Sequence, residues 1–179
     1  MPLPARGELL IYSSDSGHVI AQYNPLIIAC FTRPVRSVEL DALSELAELG
    51  LAEGVRGGLL YVVARKDMNG GIDPKVRSAF EKMVRQTAPQ AGVSAVVILT
   101  EGFGGALLRG FLAGLVQLSS KRKALQIFGS LTEACRWLAS QYELDAQELT
   151  RAFEGATAHL GHPMFSKTQP CRPPPRVSA

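Results

Sequence analysis

The 179-residue chain is short of several things at once. Its three cysteines, Cys30, Cys135 and Cys171, are odd in number and far apart, which excludes a disulfide framework. They read as reduced thiols of a cytoplasmic protein, with Cys30 and Cys135 as buried small hydrophobes. Histidines are equally few: His18, His159 and His162. No Gly-x-Ser-x-Gly elbow accompanies them, so the parts of a nucleophilic hydrolase are missing. Gly161 and Pro163 oppose the helical turn that would join His159 to His162, and no further ligands stand nearby, so no metal site is expected. Charge of one sign is scarce, since 19 basic residues against 16 acidic leave a net +3. That surplus, and a basic run no longer than Lys121-Arg122-Lys123, argue against a nucleic-acid partner. Long hydrophobic runs are absent too. The stretch from Phe103 to Leu118 carries Arg109 and falls short of the roughly 20 apolar residues of a membrane span. Met1-Pro2-Leu3-Pro4-Ala5-Arg6 lacks the apolar core of a secretory signal. A soluble, cytoplasmic protein is expected.

What is present is a globular composition, 46% hydrophobic against 20% charged, which excludes disorder throughout. The length suits one domain. Residues 1–16 supply an N-terminal strand and turn, and 17–158 form a single α/β domain. Residues 159–179, with Pro170 and Pro173-Pro174-Pro175, read as a disordered, polyproline-like tail.

Two periodicities alternate within the domain. Glu8–Tyr12, His18–Tyr23 and Leu26–Thr32 are β-prone runs. The connections between them, Ser13 to Gly17 and Asn24-Pro25, are too short for parallel crossovers, so the chain opens with an antiparallel hairpin or meander. Leu40, Leu43, Leu46, Ala47 and Leu49 mark a helix that Ser37 caps and Gly50 stops. Leu59–Ala64 and Val93–Thr100 are continuous apolar runs, as in strands covered on both faces. Asp73-Pro74 starts a second helix, and Ala124–Phe128 is a last strand. Ser130 to Glu133 is a capping box, and Asp145 caps a final helix through about Phe153. The expected fold is α/β: a mixed sheet with an N-terminal antiparallel hairpin followed by α-β units, helices packed on the sheet.

Two places stand out for function. Ligands in open α/β sheets bind beyond the carboxyl ends of the strands. Arg65, Lys66, Asp67, Thr100, Glu101, Gly102 and Gly104 would gather there, either as a ligand edge or as ordinary solvated loops. The turn Gly102-Phe103-Gly104-Gly105 lacks the third glycine of a dinucleotide fingerprint, and no Walker lysine follows, so no cofactor is called for. The second place is the helix from Ala106 to Leu118, where only Arg109 and Gln117 are polar. It is either a central core helix or a surface for another protein or a second copy, with Arg109, Leu112 and Val116 as partner-binding residues. Gly110 and Gly114 would let another backbone approach. His18, beside a turn, reads as an exposed structural histidine.

The opening hairpin followed by repeated α-β units, from about Gly17 to Tyr142, resembles the STAS domain of anti-sigma-factor antagonists and the related STAS/SEC14-like proteins. In those antagonists the corresponding helix is preceded by an Asp-Ser-Ser-Gly turn whose serine is phosphorylated. Here Ile72-Asp73 matches the start of that turn, but Pro74-Lys75 stands where the serines would be. The resemblance thus implies a regulatory, protein-binding module of bacterial signalling type, non-enzymatic and without the phosphorylation switch. The alternative is a small-molecule-binding protein or enzyme using the carboxyl edge of the sheet.

Overall fold

Connection length decides how the strands pair. The computed structural model describes residues 4–5, 7–23, 25–64, 73–87, 92–100, 105–106, 108–110, 114 and 125–160. Strand β1 (Leu9–Asp15) turns through Ser16-Gly17 into β2 (His18–Tyr23), which turns at once into β3 (Leu26–Phe31), and both pairs are antiparallel. Strands β4 (Gly58–Val63), β5 (Ser94–Ile98) and β6 (Leu125–Phe128) follow after longer connections and run parallel to β3. The fold is therefore α/β with a six-stranded mixed sheet in the order β1-β2-β3-β4-β5-β6.

Sequential order has a consequence for the helices. Each crossover from β3 onward steps in the same direction, so crossovers of one hand place their helices on one face. Helix α1 (Ser37–Ala52) and α2 (Pro74–Thr87) lie together on that face. Leu40, Leu43, Leu46, Phe80 and the half-buried Leu108 pack there against Ile20, Phe31, Tyr61, Val96 and Ile98. The opposite face belongs to the C-terminal pair, α3 (Leu131–Tyr142) and α4 (Ala146–Thr157). Cys135, Leu138, Leu149 and Phe153 meet Val19, Ile28, Cys30, Leu60, Val62 and Val97. Alternate residues of β3, β4 and β5 thus enter two cores, which is why these strands read as continuous apolar runs. Each wholly buried Leu or Phe contributes roughly 1.5–3 kcal/mol of transfer free energy. A 3-10 turn, Ala158–Leu160, follows α4 and buries Leu160 in the second core.

The helix ends follow the sequence in part. Asp73 precedes Pro74 and its Oδ1 accepts the Lys75 N–H at 2.7 Å. Asp145 caps α4, accepting from Gln147 N–H at 2.8 Å and Glu148 N–H at 2.9 Å. That helix continues past Phe153 to Thr157. Ser130 occupies the N-cap of α3, but its hydroxyl makes no cap bond. Helix α1 departs further. Its N-cap is Arg36 rather than Ser37, because Glu39 reaches back to accept the Arg36 N–H at 2.9 Å. Gly50 does not stop it, since backbone hydrogen bonding carries the helix to Ala52, and the left-handed turn falls on Gly54 at φ 77°. Among the described residues no helix is long and apolar enough to cross a membrane.

Candidate functional site

The hairpin tip comes to lie beside the carboxyl ends of the parallel strands. His18 pairs with Phe31, Phe31 with Val63, and Val63 with Ile98. The tip itself is closed by Asp15, whose Oδ1 accepts the N–H of Gly17 at 2.7 Å and of His18 at 3.0 Å. This is the local turn chemistry that favours aspartate. Gly17 C=O then accepts the Thr32 N–H at 2.9 Å, which fastens the end of β3 to the tip. A Cβ on Gly17 would stand 2.5 Å from Cγ and Cδ of Arg33. The absent side chain lets Arg33 cross over the turn. Pro34 then carries the chain into α1, and Glu39 falls in its first turn.

These local choices assemble a charged cluster. Glu39, 3% exposed, receives both terminal nitrogens of Arg33, with Nη1 to Oε2 at 3.2 Å. It also receives Arg36 Nε at 2.9 Å and Nη2 at 2.7 Å. Arg33 Nη2 reaches Asp15 Oδ2 at 2.7 Å and lies 3.0 Å from His18 Nδ1. His18 is 4% exposed and stacks on Phe31 with ring centroids 6.1 Å apart. It is buried, not exposed as its place beside a turn suggests, because Arg33 and α1 cover it. Its Nε2 is 3.0 Å from Ser13 Oγ, and its Nδ1 is 2.9 Å from Asp15 Oδ1. Nη2 of Arg33 has two hydrogens and three acceptors in reach. The two carboxylates form the stronger, charge-assisted bonds.

The electrostatics follow from these contacts. The Arg33 guanidinium, then the Gly17 N–H, hold the Asp15 carboxyl well below the usual range. Burial is the largest influence on Glu39 and acts upward, but bonds from Arg33 and Arg36 outweigh it and leave its carboxyl depressed. Glu39 in turn is the main cause of the raised Arg33 pKa. Each member thus stabilises the charged form of its neighbours.

Two chemical readings of the cluster can be tested on its geometry. Ligand atoms of Asp15, His18 and Glu39 lie within 4.8 Å of one another, a spacing suited to a metal ion. The guanidinium of Arg33 touches all three, so the place of the cation is taken by an arginine. Ser13, His18 and Asp15 also have the connectivity of a serine-histidine-aspartate relay. Such a relay needs a cleft and oxyanion donors at the nucleophile as well. A crevice of about 70 Å³ opens at the opposite edge of the sheet, among Gln22, Leu43, Leu46 and Leu59, and another cavity runs between α1 and α2. The bonds of Arg33 to Asp15 and Glu39 tie the hairpin to the start of α1. Burial pushes the Cys30 thiol up to about 12 and the Cys135 thiol up to about 11, which removes both as nucleophiles near neutral pH.

Of the residues singled out in the sequence, Thr100 and Arg109 are described. Arg65, Lys66, Asp67, Glu101, Gly102, Gly104, Leu112 and Val116 lie outside the described residues. Thr100 follows β5 at the carboxyl edge, 3% exposed, and its hydroxyl has no hydrogen-bond partner among the described residues. Gly105, helical and buried, packs onto it so closely that a Cβ would stand 2.1 Å from the Thr100 carbonyl oxygen. Arg109 is exposed, as are Ala106, Gly110 and Gly114 on the same helical stretch. Sequence reasoning missed Asp15, Arg33, Arg36 and Glu39. The signal available was a pair of arginines flanking Pro34, with a glutamate three residues into the helix. Compared with protein-family models, curated proteins and solved structures, the chain matches none.

Proposed function

We propose that the chain is a non-enzymatic regulatory module that binds another protein, or a second copy of itself, through the helical face carrying Arg109. The observation that carries this reading is the exposure of Ala106, Arg109, Gly110 and Gly114, together with open space around both glycines: a Cβ built on either meets no atom of the described residues within 4 Å. Glycines placed to admit a neighbouring helix within the molecule would meet one. On an outward face they admit a partner's backbone instead. The opening hairpin and the run of parallel α-β units support the likeness to STAS domains, and the cytoplasmic, signalling setting belongs to the same proposal.

Light scattering across a concentration series tests it, on the wild type and on Gly110→Glu. Glutamate is a better helix former than glycine and meets open space there, so the variant folds. A wild-type dimer that becomes a folded monomer in the variant supports the reading. A wild type monomeric at every concentration, and indistinguishable from the variant, overturns self-association through this face. A second reading, a small ligand at the carboxyl edge, is favoured by one observation, the buried Thr100 hydroxyl, which has no hydrogen-bond partner among the described residues.

A further inference from the structure

We propose that the crevice between α1 and the amino end of the sheet binds a small uncharged molecule, a ring-sized apolar body whose carboxamide or lactam pairs with Gln22. The crevice lies at the opposite edge from Thr100 and depends on neither reading above. Strand register builds its floor. Gln22 of β2 stands opposite Ile27 of β3, Ile27 pairs with Leu59 of β4, and Leu59 with Ser94 of β5, so the four form one row across the sheet. Side chains alternate along a strand, and Ile20 of β2 packs on the α1 side. Gln22, two residues on, projects to that same side, where it lines the crevice with Leu43 and Leu46 of α1.

Two features mark this space as more than a packing gap. The first is Gln22 itself. It is 6% exposed, and none of the hydrogen bonds among the described residues uses its side-chain amide. Burying an amide without a partner is costly, and native chains leave few such groups unpaired unless water or a ligand completes them. The second is the roof. Gly50 sits inside α1, which continues to Ala52, and a glycine there weakens a helix relative to alanine. Close packing does not require it: among the described residues its Cβ would meet only the Val55 carbonyl oxygen, at 3.8 Å. Together with Ala47, one turn earlier on the same face, it keeps the roof of the crevice free of bulk.

The lining selects the ligand. The crevice holds about 70 Å³, against about 10–15 Å³ for a single water, which is room for one small ring. Among the described residues no ionisable side chain lines it, so an ion would lose its hydration there without a counter-charge. The Gln22 amide offers a donor and an acceptor side by side. A carboxamide or lactam presents the complementary pair, while its apolar remainder meets Leu43, Leu46 and Leu59.

Two-dimensional NMR titration of the full chain tests this with benzamide, and with benzoate and toluene as the charged and the purely apolar counterparts. Saturable benzamide binding that moves the Gln22 side-chain amide resonance is expected, with benzoate at least about tenfold weaker. Gln22→Leu removes the amide and keeps an apolar side chain, so it should weaken benzamide about tenfold and leave toluene unweakened. A Gln22 that served only the fold would change both probes alike. Gly50→Leu fills the crevice from a position with open space, so this variant folds and should abolish binding of benzamide and toluene. The proposal is overturned by no saturable benzamide binding, by benzoate binding as tightly, or by benzamide binding that Gly50→Leu leaves unchanged. Equal effects of Gln22→Leu on benzamide and toluene overturn it as well. Where Gln22→Leu does not fold, Gly50→Leu and the benzoate comparison decide by the same outcomes.

Discussion

Replacing Arg33 with methionine probes the charged cluster directly. Methionine keeps the aliphatic bulk over Gly17 but removes both bonds to Glu39 and the bond to Asp15. Losing the whole partner of a buried charge costs roughly 3–5 kcal/mol. Glu39 retains Arg36 and the Arg36 N–H, so the expected loss is smaller, about 2–3 kcal/mol. Asp15 adds little, because its side chain is 41% exposed and solvent screens the pair. For a chain of this length the loss corresponds to a melting temperature roughly 4–12 °C lower. Urea unfolding followed by circular dichroism at pH 7 measures it. The pH dependence sharpens the test. Asp15 and Glu39 both have folded-state pKa values depressed below their unfolded ones. Between the two values the unfolded chain binds more protons. The stabilisation is therefore complete above about pH 5 and is lost as pH falls through the folded values. The gap between wild type and Arg33→Met should accordingly be smaller at pH 3 than at pH 7. A loss under about 0.5 kcal/mol at pH 7, the usual size of a surface substitution, would refute the reasoning, as would a gap that does not change with pH.

The same geometry makes further predictions. Gly17→Ala places a Cβ 2.5 Å from the middle of the Arg33 side chain, so it should destabilise the wild type by about 1–3 kcal/mol. It should cost almost nothing in an Arg33→Ala background, and additive losses in the double mutant would contradict the contact. Gly110→Ala should stabilise by about 0.5–1 kcal/mol, because an exposed helical glycine with open space loses only its backbone freedom. Gly105→Ala should act in the opposite direction, since its Cβ meets the Thr100 carbonyl, and chemical denaturation of the pair distinguishes them by sign. Iodoacetamide at pH 8 should leave Cys30 and Cys135 unmodified in the native protein and alkylate both in guanidinium, as read by peptide mass; native labelling of either would contradict their burial.

The sequence by itself determined whatever depends on neighbours along the chain. β-prone runs between turn residues identified the first strands, and continuous apolar runs those covered on both faces. Asp73-Pro74 and Asp145 marked helix starts, because a carboxylate binding the next free N–H groups is a contact within one turn. The short connections after β1 and β2 allowed only antiparallel pairing. Tertiary structure decided what depends on which chain ends meet. Ser37 has the composition of a cap, yet Glu39 assigned that place to Arg36 by reaching back to its N–H, while Glu39 itself was held by Arg33 from just beyond β3. His18 looked exposed because burial of a turn-flanking residue is settled by what covers it, here Phe31 and Arg33. The pairing of Asp15 with Arg33, and the close approach of Gly105 to the Thr100 carbonyl, arise at the carboxyl edge of the sheet. Strand order brings those loops together there, and a charge carries no local periodicity that would reveal its partner in advance.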